Sequence, residues 1–152
     1  MATITVEQIC DAIAATLGAA AGINRTQSFD EVTEDYPNAD LPMLQVYPQG
    51  NEVDARSESD RHTFRAGSRI NIMRFVADVV CRQRSHIGLD IAKQVEMWEA
   101  VETVLYAQTT KPYFALAGIK GFHWTTDLVW LQKGDPAIHY AAVRFTVTIE
   151  VF

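Results

Sequence analysis

The chain has 152 residues, 48% of them hydrophobic and 21% charged, with a formal net charge of −6. That length and balance describe one globular domain, 1–152, rather than a disordered chain, and two cysteines do not make a disulfide framework. Residues 1–60 hold 11 acids against 2 bases and residues 61–152 hold 8 acids against 11 bases, so the charge is split along the chain.

In chain order, Met1 to Thr5 carries no basic n-region, so no secretory signal is expected. Thr5 and Gln8 have the spacing of a capping box, which predicts a helix start. Val6, Ile9, Ile13 and Leu17 then repeat at three and four residues as one apolar stripe, and Gly18 and Gly22 sit where that helix should end. The apolar tract Ala12 to Ile23 is largely alanine and too short to span a bilayer. An acidic loop from Asp30 to Pro37 follows, closed by Leu41-Pro42. Met43 to Tyr47 reads as a short strand between Pro42 and Pro48, hence at a sheet edge. Residues from about 49 to 69 read as a long polar arm with almost nothing to bury. Long loops without structure of their own are uncommon in compact domains, and such segments are typically functional or ordered by a partner.

Ile70 to Cys81 is a strong strand. Asn71, Met73, Phe75, Ala77, Val79 and Cys81 make a mainly apolar face and Ile72, Arg74, Val76, Asp78 and Val80 a mixed one, which a neighbour would cover. A second helix is predicted from Ser85 or His86 to about Gln108, with Ile91, Val95, Trp98, Val101 and Leu105 as its buried stripe. Glu96, Glu99 and Glu102 mark another face. A long hairpin closes the chain: Phe122 to Leu131, a turn at Lys133–Pro136, and Ile138 to Phe152. Val143, Phe145, Val147, Ile149 and Val151 point to the core, while Arg144, Thr146, Thr148 and Glu150 point away. The order α-β-arm-β-α-β-β predicts an α+β domain, a largely antiparallel sheet of about four strands with two helices packed on one face.

Candidate chemistry is sparse. His62, His86, His123 and His139 show no zinc-ligand spacing, and Cys10 and Cys81 fit as small buried hydrophobes. Gly67-Ser68-Arg69 has neither the pattern nor the base of a nucleophile elbow, and no glycine-rich phosphate fingerprint is present. An enzyme is therefore not expected, and neither a cofactor nor a metal. Between Arg56 and Arg84 stand seven arginines against three acids. Without interleaved aromatics in an acidic chain, they point to protein interfaces rather than nucleic acid. Arg56, Arg61, Arg65 and Arg69 are the candidate interface cations. Asp30, Glu31, Glu34 and Asp35 are the candidate partners on a second copy. The three-residue spacing of Glu96, Glu99 and Glu102 fits either a solvated face or an acidic channel lining that keeps DNA from sticking.

This layout resembles the tail terminator (tail completion) proteins of long-tailed bacteriophages. The resemblance rests on an alanine-rich first helix, the strand Leu41-Pro42-Met43-Leu44-Gln45-Val46-Tyr47-Pro48, the arm, the strand around Phe75–Val79, and the closing Val143–Ile149 strand. It is one of architecture over nearly the whole chain rather than of a diagnostic motif. It implies a virion protein forming a ring, usually hexameric, at the head-proximal end of the tail tube. Such a ring ends tube growth and joins the tail to the capsid connector. The implied partners are further copies of the chain, the tail tube protein and a head–tail connector or stopper protein, with DNA only passing through the lumen and no membrane. The place of assembly would be the host cytoplasm. The competing readings are another phage neck or tail-tube subunit and a small α+β ligand-binding domain whose pocket Trp98, Trp124 and Trp130 would line.

Overall fold

A computed structural model describes residues 4–33, 36–55, 69–133 and 137–151. Helix α1 (Val6–Leu17) starts where the capping box puts it. The Gln8 N–H donates to Thr5 Oγ1 at 3.1 Å, and the Thr5 N–H donates to Gln8 Oε1 at 3.0 Å. Two otherwise free amides are satisfied. Ile9, Ile13 and Leu17 are fully buried, while Val6 at the first turn stays partly exposed. A Cβ at Gly18 would lie 2.6 Å from Thr26 Oγ1, so the chain can leave the helix this tightly only with glycine there.

Five strands form one sheet: β1 (Arg25–Ser28), β2 (Met43–Ala55), β3 (Arg69–Gln83), β4 (Ile119–Lys133) and β5 (Ile138–Val151). Their order is β1-β2-β3-β5-β4, with β1 parallel to β2 and every other pairing antiparallel. Helix α2 (Ile87–Tyr106) joins β3 to β4. Both helices pack on the same face. Ile9, Ile13 and Leu17 of α1 share one core with Met97, Val101 and Leu105 of α2 and with the inward residues of β2, β3 and β5. Val143, Phe145, Val147, Ile149 and Val151 are all buried in it, as their alternation requires. Each such side chain contributes about 1.5–3 kcal/mol of burial, which is why this face defines the fold. The α+β architecture expected from the sequence is the one found.

Four expectations change in detail. Strand β1 is additional; its sequence, Arg-Thr-Gln-Ser, has no apolar alternation, and its buried residues are the polar Gln27 and Ser28. Strand β2 does not stop before Pro48 but passes through a bulge at Gln49 and continues, paired with β3, to Ala55 opposite Arg69. Residues 49–55 of the polar stretch are thus paired strand rather than arm, and residues 56–68 lie outside the described residues. Pro48 is tolerated because β1 flanks β2 only from Met43 to Val46, leaving that side open. The mixed face of β3 is covered in part by the chain itself: Tyr36 packs with Met43, Val80 and Tyr140, its ring edge-on to Tyr140 at 5.1 Å. Finally, α2 runs Ile87–Tyr106, and its buried stripe is Asp90, Gln94, Met97, Val101 and Leu105. Ile91 is exposed and Val95 and Trp98 are half-buried, because two polar residues with work to do inside take the places expected for apolar ones. No helix among the described residues is long and apolar enough to cross a membrane.

Candidate functional site

Asp78, on the mixed face of β3, faces Arg144 across the ladder with β5. Arg144 donates from Nε to Oδ1 at 2.8 Å and from Nη2 to Oδ2 at 3.1 Å, a two-pronged pairing, and the Tyr47 hydroxyl donates to Oδ2 at 2.8 Å. Such charge-assisted bonds are among the stronger ones a protein makes. Burial, then the Asp78 charge, pushes the Tyr47 hydroxyl up to about 12, so it remains a donor. Beside them Gln45 Nε2 donates to Gln27 Oε1 at 2.8 Å and to the Thr33 carbonyl at 2.7 Å, tying the acidic loop onto the sheet. A pocket of about 300 Å³ opens here between Tyr36, Tyr47, Lys133 and Arg144.

Asp90 lies under the first turns of α2, 1% exposed. Strand β3 supplies Arg82 through a bulge, and Arg84 follows its end: Val80 pairs with Ala142 and Arg82 with Ala141, leaving Cys81 extra. Consecutive residues of a bulge lean to one side, so Cys81 enters the core below the helices and Arg82 still reaches the helix. Arg82 Nε stands 3.2 Å from Asp90 Oδ1 and Arg84 Nε 3.9 Å from Oδ2. These contacts are ionic rather than directed hydrogen bonds. The Arg84 guanidinium also lies 4.3 Å from the centre of the Trp130 ring. One turn on, the fully buried Gln94 donates from Nε2 to the carbonyls of Ala142 at 2.8 Å and Val129 at 3.2 Å. The start of α2 is thereby fixed to the closing hairpin.

The end of α2 presents a third carboxylate. Glu102 Oε1 accepts from Thr126 Oγ1 at 2.9 Å and from Trp124 Nε1 at 3.3 Å, whereas Oε2 accepts from no donor among the described residues. Tyr106, 67% exposed, stands edge-on to Trp124 at 5.1 Å, and Phe122 stacks on the same indole at 5.9 Å. With Trp98 and Thr126 these residues border a groove of about 450 Å³. No cation among the described residues pairs with Glu102 or Glu99.

No protein-family model and no curated protein matches this chain. Its functional reading therefore rests on its own residues.

Of the residues singled out in the sequence, Asp30 and Glu31 form an exposed single turn after β1. Glu34, Asp35, Arg56, Arg61 and Arg65 lie outside the described residues. Arg69 opens β3 opposite Ala55, with its side chain outside the described set. Glu96, Glu99 and Glu102 do not act alike: Glu96 pairs with Lys93 at 3.2 Å, Glu99 is exposed, and Glu102 turns to β4. The Asp78–Arg144–Tyr47 group, the Asp90–Arg82–Arg84 group and the Glu102 groove were not foreseen. Their only sequence signals are an acid inside a strand, an acid in a helix's first turns, and the pair Trp98 and Trp124, which the sequence offered with Trp130 as a pocket lining but which border the groove with Tyr106 and Phe122 instead. Cys10 and Cys81 are buried thiols, each pushed up to about 12 mainly by desolvation, which makes them poor nucleophiles. No three His, Cys, Asp or Glu side chains among the described residues come together as metal ligands.

Proposed function

We propose that this chain is a structural, non-catalytic subunit of a homo-oligomeric ring at the head-proximal end of a long bacteriophage tail, where it ends tube growth and joins the tail to the capsid connector. The phage assignment rests on the resemblance of element order described above. The ring rests on one observation: the sheet has two open sides that run in opposite directions. Among the described residues, strand β4 has no partner on its outer side and β2 has none beyond β3 from Tyr47 to Ala55. Through three antiparallel pairings β2 and β4 run antiparallel to each other. A second copy in the same orientation therefore sets its β2 against the first copy's β4 in the favoured antiparallel sense. Repetition of such a head-to-tail contact generates a ring when the rotation closes. Pro48 and the bulges at Gln49 and Lys120 blunt these sides against indiscriminate pairing, so side chains must supply the specificity. The β2–β3 hairpin adds reach, because its pairing continues to Ala55–Arg69, beyond the last β3–β5 pair at Asn71–Val151.

Negative-stain microscopy of the purified chain, alone and mixed with tail tubes lacking a terminator, tests this reading. Closed rings and capped tube ends are expected. Long self-assembled tubes would make it a tube subunit instead, and a monomer that leaves tube ends bare would refute the reading.

A further inference from the structure

We infer that the groove between the end of α2 and β4 is a receptor for an arginine side chain carried by a partner protein. The site needs no ring, because its chemistry lies within one copy of this chain.

The chain shows the arrangement once, complete, at the other end of the same helix. There Arg84 lies 4.3 Å from the centre of the Trp130 ring while its Nε stands 3.9 Å from Asp90 Oδ2. The carboxylate comes from α2, the indole from β4, and the guanidinium bridges them. A planar guanidinium can stack on a ring and pair with a carboxylate at the same time, which an ammonium does less well. Glu102 and Trp124 repeat the two fixed parts. Asp90 to Glu102 spans roughly 18 Å of helix and Trp130 to Trp124 roughly 20 Å of strand, so the second carboxylate and the second indole stay level. The ladder from Gly121 to Lys133 is unbroken, which keeps both indoles on one face of β4.

At the second position the described residues supply everything but the guanidinium. Trp124 Nε1 and Thr126 Oγ1 both donate to Glu102 Oε1, which orients the carboxylate and leaves Oε2 with no donor among the described residues. The acceptor is thus held in place before a ligand arrives, and little side-chain freedom is lost on binding. Trp98, Phe122 and Tyr106 complete an aromatic border, and Tyr106 is 67% exposed beside Trp124. Glu99, exposed one turn earlier on α2 and without an ion pair among the described residues, adds to the negative field. The groove is open to solvent on the Tyr106 side. It surrounds the head of a side chain and leaves outside the body that carries it, which fits an arginine of a protein rather than a free small molecule.

A titration of the full-length chain, followed by NMR at its indole N–H groups, tests the receptor. The signals are assigned with Trp98→Phe, Trp124→Phe and Trp130→Phe. Added N-acetylarginine amide should move the Trp124 signal saturably, while that of Trp130, already covered by Arg84, stays in place. Glu102→Gln keeps the Oε1 acceptor and removes the charge, and it should weaken this binding by about tenfold or more. Tyr106→Ala keeps the carboxylate and removes an exposed ring, and it should weaken binding by about threefold. N-acetyllysine amide should bind several-fold more weakly than the arginine compound. Thermal unfolding of each variant separates a lost contact from a lost fold. A shift that only grows linearly with added ligand, equal binding of the lysine compound, or binding untouched by Glu102→Gln overturns the receptor. Tighter binding of free arginine than of the blocked amide overturns the protein source in favour of a small ligand. A chain that never forms rings still answers the titration, so the two readings fail separately.

Discussion

Near the start of α2, Asp90 is buried with Arg82 of the preceding strand and Arg84 just after it at 3.2 and 3.9 Å; near its end, half-buried Glu102 accepts two hydrogen bonds from β4 and, among the described residues, has no cation paired with it. Both ends of one helix thus present a carboxylate to the closing hairpin, but among the described residues only the first has a counter-charge. A charge enclosed in protein without a counter-charge is costly, so a fold supplies the counter-ion itself or leaves the group open to water and partners. Asp90 took the first course, as did Asp78 with Arg144 on the other face of the sheet. Glu102 took the second and is surrounded by aromatic rings rather than by arginines.

The comparison can be broken by removing each carboxylate in turn. Asp78→Ala should cost the most, about 3 kcal/mol, because it deprives Arg144 and Tyr47 of three bonds at once and leaves Arg144 without a counter-charge. Thermal unfolding should then begin several degrees lower, about 6–12 °C for a domain of this size. Asp90→Ala should cost about 2 kcal/mol in a denaturant titration, less because both of its arginines reach solvent. No loss in either case would mean that these pairs are not what holds the chain.

Tyr47→Phe should cost about 1 kcal/mol. It also sharpens the pH behaviour. The folded Tyr47 hydroxyl is held near 12 against an ordinary 10.0, so its proton is bound more tightly in the folded state. Its contribution is full below the unfolded value and is lost as pH rises through the folded one. An absorbance titration should show a late tyrosine step, and that step should vanish in Tyr47→Phe. Glu102→Gln should change stability least, within about 0.5 kcal/mol, since Oε1 keeps both donors and no internal ion pair is lost.

How much of this was legible beforehand follows from what alternation can encode. Strand β5 and helix α1 were readable because Val143–Val151 and Ile9–Leu17 are apolar at the period of their element, and the Thr5–Gln8 box fixed the helix start. Strand β1 was not, since its Gln27 and Ser28 are buried through hydrogen bonds to Thr33, Gln45 and Asp11 that only the folded chain brings near. The stripe of α2 was misplaced for a related reason: Asp90 and Gln94 are buried by partners that a β-bulge and a hairpin deliver, and no periodicity announces those. The arm was overextended because outer β2, from Pro48 to Val53, is exposed on both faces and carries no alternation despite its ladder to β3. Glu102 looked like one of three equivalent acids; only the position of β4 sets it apart from Glu96 and Glu99.

The measurement that bears most directly on the central claim is thermal unfolding of Glu102→Gln and Asp90→Ala beside the parent chain. Glu102→Gln should unfold at the parent temperature, and Asp90→Ala should unfold several degrees earlier. If Glu102→Gln instead loses as much stability as Asp90→Ala does, Glu102 serves the fold as Asp90 does and the contrast between the two ends of the helix fails.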